Sequence, residues 1–403
     1  MPEISLRQAR TFLAVARNGN VTRGAKAVNR SQTSVTKSIH ELEQHLGVSV
    51  FDRGSRGVNL TTFGEALYRW TEAAAATFLQ IGKLFSPSAI RTSTGITRLA
   101  NMDVSDRWLD AFLATVQSQS IAAAATQLTI TPSAVATSLR KLEASLGTNV
   151  FERTSAAIIP TTLGNALAGH IKLARHHFRH ALDEIAAMQG VEQGSVAVGT
   201  LPFARTIIVP TAINQLLTNH PNIDVATIEG SYDDQVAALR CGDIDFMVGA
   251  LRETAVTQEL QQEVLLEDSL AIVVRSGHPL TKSARISKKE LSAYEWVLPR
   301  QGTPTRTLFE QAIVEHGVPV PKHVAETSSL VMLRGLLLGS DRLSVLSRHQ
   351  IYYEESSGLL AALPYPLKRT TRPIGITRRA RTSLSPAADL MIEEIRKVVA
   401  DQF

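Results

Sequence analysis

The 403-residue sequence contains one cysteine, Cys241. An internal disulfide is therefore excluded, and the composition fits a reducing compartment. A buried small hydrophobe is the expected role for that thiol, ahead of a redox sensor. Aromatic residues make up only 5% of the chain. No run reaches the ~18 consecutive apolar residues that a membrane-spanning helix needs. Met1–Arg10 lacks the basic-then-apolar layout of a secretory signal and already reads as a helix start. A membrane partner is thereby excluded and a cytoplasmic location expected. The usual catalytic signatures are missing as well: Gly-x-Ser-x-Gly elbow, P-loop, His-Glu-x-x-His and Rossmann fingerprint. The expectation is no enzyme, with no catalytic residue, no metal and no cofactor. What remains is ordinary globular composition, 44% hydrophobic and 20% charged, with a net charge of +5.

What is present is an internal repeat at a spacing of 100 positions. Phe12-Leu13-Ala14 returns as Phe112-Leu113-Ala114, Leu42-Glu43 as Leu142-Glu143, and Thr61-Thr62 with Gly64 as Thr161-Thr162 with Gly164. Residues 12–67 laid on 112–167 without a gap give 19 identities in 56 positions. A constant offset through so many matches marks a duplication. The copies differ in charge. Residues 1–70 hold ten Lys/Arg against five Asp/Glu, whereas 101–170 hold four against five. Only the first copy has the footprint of a polyanion binder.

The repeated unit reads as helix, short helix, turn, longer helix and β-hairpin. Ser5–Asn18 forms a helix with Phe12, Leu13, Val15 and Ala16 on one face, ended by Gly19-Asn20, and Thr22–Val28 is short and rich in small residues. Ser31 is a good N-cap for a third helix, along which Val35, Ile39, Leu42 and Leu46 recur at helical spacing until Gly47 closes it. Val48–Phe51 and Gly57–Leu60 read as strands around the turn Gly54-Ser55-Arg56-Gly57. This is a winged helix-turn-helix, whose third helix enters the major groove. Its exposed face carries Gln32, Thr33, Ser34, Thr36, Lys37 and His40. Glutamine can pair bidentately with adenine, and Ser or Thr reads several base edges or holds phosphate. Arg53 and Arg56 on the wing, with Arg23, Lys26 and Arg30, suit phosphate contacts.

The run Phe12…Ala25…Ser31-Gln32…Val35…Leu42-Glu43…Leu46-Gly47…Phe51-Asp52-Arg53…Leu60-Thr61…Gly64 resembles the DNA-binding domain of LysR-type transcriptional regulators. The resemblance implies that Gln32, Ser34, Lys37 and Arg53 sit at or beside DNA. Gly24 and Thr33 depart from it, standing where alanine and proline are usual. The second copy keeps Phe112, Val135, Leu139, Leu142, Leu146 and Phe151 but replaces Ser31-Gln32 by Thr131-Pro132 and loses the equivalents of Lys37 and Arg56. Fold is retained while phosphate contacts are thinned. A structural, dimerising or auxiliary role is expected for it, with Arg140, Lys141 and Arg153 as auxiliary DNA contacts.

A helix from Thr62 to Phe85 follows the first copy, then a polar linker, Ser86–Thr97. The helix Thr162–Met188 follows the second, with Leu167, Ile171, Ala174, Phe178, Leu182 and Ile185 in one apolar stripe that needs a partner. In the resembled family the equivalent helix forms an antiparallel dimer contact, which implies a homodimer or homotetramer. His176 and His180 on this helix have zinc-compatible spacing, but His176, His177 and His180 read as a solvated basic face.

From Gly194 apolar strands alternate with helices, the pattern of parallel sheets covered on both faces. Leu270–Val274 leaves a first subdomain and Pro373–Thr377 returns to it, giving a hinged two-subdomain clamp. The runs Gly242-Asp243-Ile244-Asp245 and His278-Pro279-Leu280 resemble the effector domain of the same family, which has the architecture of periplasmic binding proteins; His278 reads as structural. Such sheets bind ligands outside the carboxyl ends of their strands. There Thr200, Phe203, Arg252, Thr303 and Ser328 are the candidate effector contacts, with Arg300 as an outer cation, although Thr303 and Ser328 also suit helix capping. Helix N-termini at these ends favour a polar or anionic effector.

The expected fold class is thus α+β and multidomain. Winged helix-turn-helix domains occupy 1–62 and 104–161, a linker 63–103, a dimerisation helix 162–190, and an effector-binding domain 191–403. Within the last, subdomain I covers 191–275 and 377–403, and subdomain II covers 276–376. The expected function is a regulator of promoter DNA that answers to a small-molecule effector, with RNA polymerase as the further partner the family implies. The alternatives are a cytosolic small-molecule-binding protein whose second winged helix is an interaction module, a solute-binding protein, and an enzyme carrying a DNA-binding arm.

Overall fold

The computed structural model describes residues 4–54, 57–85, 94–154, 157–191, 193–252, 259–380 and 382–403, with the side chains of Arg53 and Gly54 outside that set. The chain divides into two units, residues 1–194 with 240–243, and residues 195–239 with 244–403.

The first unit contains both repeats, each built as the sequence predicts. The first has α1 (Leu6–Asn18), α2 (Val21–Ala27), α3 (Gln32–Leu46), β1 (Phe51–Gly54), β2 (Gly57–Leu60) and α4 (Thr62–Ile81). A connecting helix, α5 (Thr94–Ala100), includes residues expected in the polar linker; the rest of that linker, 86–93, lies outside the described residues. The second repeat has α6 (Asp106–Ser118), α7 (Ile121–Leu128), α8 (Pro132–Leu146), β3 (Phe151–Arg153), β4 (Ile158–Pro160) and α9 (Thr162–Met188).

The residues that recur unchanged are those the backbone needs. Glu43 accepts from the Val50 and Phe51 N–H groups at 2.9 and 3.4 Å, and Glu143 from those of Val150 and Phe151 at 3.1 and 3.3 Å. These bonds tie the third helix to the wing, and the first wing strand begins at Phe51 rather than Val48. At Gly64 and Gly164 a side-chain carbon would collide with the carbonyl oxygens of Val50 and Val150. Gly24 has a reason as well: a Cβ there would lie 3.0 Å from Val15, where α1 and α2 approach.

The apolar stripe of α9 is covered by α4 of the same chain. Leu67, Trp70, Ala74, Phe78 and Ile81 share one buried core with Leu167, Ile171, Ala174, Phe178 and Ile185. Arg69 pairs with Glu184, and the Trp70 indole N–H donates to the same carboxylate at 2.6 Å. Arg69 and Trp70 lie in the first half of α4 and Glu184 near the end of α9, so the two helices run antiparallel. This corrects the expectation that the stripe needs a second subunit. It also corrects the histidines. His176, His177 and His180 are 2%, 4% and 2% exposed, and the rings of His177 and His180 lie 5.9 and 5.0 Å from Trp70.

The second unit contains two five-stranded sheets. The first, ordered β6-β5-β7-β14-β8, uses β5 (Gly194–Thr200), β6 (Ile223–Glu229), β7 (Phe246–Ala250), β8 (Leu260–Asp268) and β14 (Arg372–Arg379). The second, ordered β11-β10-β12-β9-β13, uses β9 (Leu270–Arg275), β10 (Trp296–Leu298), β11 (Val324–Glu326), β12 (Leu343–Ser347) and β13 (Leu360–Ala362). Both are mixed rather than wholly parallel, because each crossover strand runs against its neighbours: β14 against β7 and β8, and β9 against β12 and β13.

Both faces of each sheet are apolar, as expected. The first packs Val198, Phe246 and Val248 on α10 (Ile208–Asn219) and α16 (Pro386–Gln402), with Ile244 and Met247 under α11 (Tyr232–Cys241). The second packs Ile272, Val274 and Trp296 on α13 (Pro304–Glu315), with Val273 and Val297 on α14 (Leu330–Leu338). The subdomain boundaries shift accordingly. Ser269 alone separates β8 from β9, so β9 belongs to subdomain II, and β14 in its entirety belongs to subdomain I. The strand β8 was hidden by its mixed composition, Leu260-Gln261-Gln262-Glu263-Val264.

Candidate nucleic-acid interface and ligand cleft

In the first head the Ser31 hydroxyl accepts from the Ser34 N–H at 3.2 Å and starts α3. Gln32, Thr33, Lys37 and His40 are exposed, and Ser34 and Thr36 half-buried. The Thr22 hydroxyl on α2 donates to the Gln32 amide oxygen at 3.1 Å. That bond holds the amide at the helix tip while leaving its NH2 to donate to a base. Lys37 stands 3.8 Å from Glu41, an exposed pair too weak to keep it from a phosphate. Arg23 and Lys26 are exposed on α2. Arg30 is placed differently from the rest. It is half-buried in a hollow of about 440 Å³ beside Arg7, Arg10, Arg98 and Arg107, with Asp103 and Asp106. Burial, and then the like charges of Arg7 and Arg10, lower its pKa, while Asp103 opposes the shift. Arg56 and the side chain of Arg53 lie outside the described residues.

In the second head Thr131 caps α8 by accepting from the Ala134 N–H at 3.3 Å, and Pro132 takes the first helical position, where a missing N–H costs nothing. Arg140 and Lys141 are exposed; the Arg140 guanidinium lies along the helix, bonded to the Ala136 carbonyl and the Thr137 hydroxyl at 3.4 and 3.3 Å. Arg153 is exposed but 3.7 Å from Glu143, which offsets its charge.

In the second unit, β5 and β7 are parallel neighbours, and so are β10 and β11. Their carboxyl ends therefore bring Thr200 together with the Ala250–Arg252 segment, and Thr303 together with Ser328, each pair within its own subdomain. Thr200 is buried, and its carbonyl accepts from Arg205 at 2.6 Å. Arg252 lies 3.9 Å above the Tyr232 ring and 3.9 Å from Asp233. Thr303 is a true N-cap, accepting from the Arg306 N–H at 3.4 Å. Ser328 is exposed, and the cap of α14 is its neighbour Ser329. Phe203 is buried in the core of subdomain I, so its ring serves packing. His278 is fully buried, its Nδ1 accepting from the Leu280 N–H at 3.1 Å, a structural role.

Sequence reasoning missed the group that joins the subdomains. Asp268 ends β8 and Arg372 begins β14, so the two flank the two crossovers. Both are buried, 3.3 Å apart. The Ser347 hydroxyl at the end of β12 donates to Asp268 at 2.6 Å, and Arg372 also reaches the Thr305 hydroxyl, two residues past Thr303. Burial lowers the Arg372 pKa while Asp268 opposes the shift. The strand ends of both subdomains thus meet at one polar hinge, with the Thr206 hydroxyl donating to the Gln350 carbonyl at 3.3 Å as a further link. The sequence carries no signal for the pair, since Asp268 follows Glu267 in a strand of mixed composition and Arg372 is one of several arginines in and around β14.

Comparison with known proteins covers the whole chain. Residues 189–400 match the family described as LysR substrate binding domain. Residues 6–65 and 107–165 each match that described as bacterial regulatory helix-turn-helix protein, lysR family. The HTH-type transcriptional regulator GalR of Pseudomonas putida is 34% identical over 398 residues, 99% of this chain and 98% of that protein. PcaQ of Agrobacterium fabrum, also an HTH-type transcriptional regulator, is 28% identical over 297 residues, 74% of this chain and 96% of its own. Full-length CbnR, solved in complex with its target DNA, shares the fold with a TM-score of 0.55 and 19% identity over 73% of this chain and 100% of that one.

Proposed function

The chain belongs to the LysR family of DNA-binding transcriptional regulators, and from that membership we propose that a small polar or anionic effector, held at the subdomain hinge, controls its binding or activation at promoter DNA. The observation that carries this reading is the convergence of strand ends from both subdomains on the Asp268–Arg372 hinge. A ligand there touches both subdomains and can favour one of their arrangements only by binding it more tightly. Thr200, Arg252, Thr303 and Ser328 are the contacts we assign to the effector, with Phe203 packing behind them.

Its character follows from the lining. The α14 N-terminus offers the Leu330 and Val331 N–H groups, since Ser329 already takes those of Met332 and Leu333. Amides at a helix start, together with Arg252, suit a carboxylate or a similar anion. In the same reading Gln32, Thr33, Ser34, Thr36, Lys37, Arg30, Arg53 and Arg56 meet the DNA, and the protein works in the cytoplasm as a homodimer or homotetramer that contacts RNA polymerase.

The test is thermal unfolding of the full chain against a panel of carboxylates, aromatic acids and sugar acids. A true effector at a hundred times its Kd stabilises the protein by about 2.7 kcal/mol. Arg252→Ala and Thr303→Ala should each lose most of that shift while DNA affinity without effector is kept. An unchanged shift in both variants would place the effector elsewhere.

A further inference from the structure

We propose that one chain is by itself a two-headed DNA-binding unit whose heads take unlike half-sites of a single operator. The inference rests on the DNA-binding reading above and goes beyond it in assigning the second recognition helix. Two-fold pairs of helix-turn-helix units are ordinarily made from two identical subunits, and their operators are correspondingly palindromic. Here the pair is made within one chain. The antiparallel helices α4 and α9 occupy equivalent places in the two repeats, and one continuous core runs through both heads from Ile4 to Ile185. The first helices of the two repeats also meet, the Leu6 N–H donating to Asp106 at 3.1 Å. Leu6 and Asp106 are one repeat apart, and in a two-fold pair, to which the antiparallel helices point, equivalent positions touch beside the axis. Arg10 and Asp103 close the same junction at 2.7 Å. The arrangement is a dimer in geometry and a monomer in covalent structure.

Because the halves are not identical, the pseudo-axis does not impose a palindrome. The first head presents Gln32 and Lys37 on α3 and Arg23 and Lys26 on α2. At the equivalent positions the second presents Pro132, Thr137, Ala123 and Thr126. It instead gathers Arg140 and Lys141 one to two turns further along α8, where the first head has His40 and Glu41. Ser133 is exposed at its tip. A helix with hydroxyls at the tip and adjacent cations behind matches base edges followed by phosphate. Exposed Ile130 and Ile159 flank it, apolar groups suited to a thymine methyl and also the feature that a protein partner would use.

The experiment is selection of bound duplexes from a random 40-base-pair library by the full-length protein, by Lys37→Ala and by Arg140→Ala/Lys141→Ala. All three altered side chains are exposed, and circular dichroism checks that the variants fold. The wild type should select two unlike half-sites about one helical turn apart, centres roughly 34–36 Å from each other. Lys37→Ala should blur one half and the double variant the other. The double variant should also lower the slope of log affinity against log salt by about 2. A palindrome blurred in both halves by Lys37→Ala would mean that first heads of separate chains pair, overturning the proposal. One half-site only, untouched by the double variant, would overturn it too and leave the second head as a protein-docking module. If folded wild type selected nothing at low salt, the DNA-binding reading itself would fall.

Discussion

Asp268 and Arg372 form a buried ion pair where the two subdomains of the C-terminal half join. Their charges are almost fully out of water, and each is held by a further hydroxyl, Ser347 for the acid and Thr305 for the base. Deleting one partner of such a pair strands the other, a loss of about 3–5 kcal/mol, whereas an exposed pair contributes only ~0–1 kcal/mol. Arg372→Ala should therefore lower the calorimetric transition of the C-terminal half by that amount, while Arg396→Ala, which breaks an exposed pair with Glu263, should barely move it. A loss under ~1 kcal/mol for Arg372→Ala would show the hinge to be solvated. Nothing in the sequence distinguishes Arg372 from its neighbours Arg369 and Arg378. Burial, which only the crossing strands provide, makes the difference.

At the scale of elements, local signals were dependable where one backbone need fixed one residue. Ser31 as a cap and Gly47 as a left-handed stop stand where the sequence placed the ends of the third helix, and Thr131 and Gly147 do the same in the second copy. The stripe on α9 was equally legible, but a stripe states only that a partner exists. Its identity came from α4, whose buried small residues Ala74 and Ala75 share the core with α9. Phe78 is fully buried in that contact. Phe78→Ala should cost about 3–5 kcal/mol. Because one core links the heads, hydrogen exchange should quicken in α3 and α8 together. Quickening confined to α3 would show instead that the heads are held independently.

For the whole molecule, the family resemblance supplied what each part is, and the structure supplied the way the parts are counted. A regulator with paired heads in every chain should protect a full operator with half the chains that a single-headed relative needs. DNase I footprinting of DNA upstream of its own coding region should show protection with the period of the helix, and titration should reach saturation at one chain per pair of half-sites. Saturation at two chains per pair would return the second head to a purely structural role.

The sequence by itself determined the repeat, the winged-helix design, the charged first recognition helix and the two-subdomain plan, because each follows from short-range periodicity or from matched residues at a fixed spacing. Tertiary structure alone decided that α9 takes α4, that His176, His177 and His180 are buried, that Phe203 belongs to a core and that Asp268 meets Arg372 across 104 positions. Those outcomes depend on which surfaces meet, and the exclusion of water that gives such contacts their energy exists only once the chain has folded.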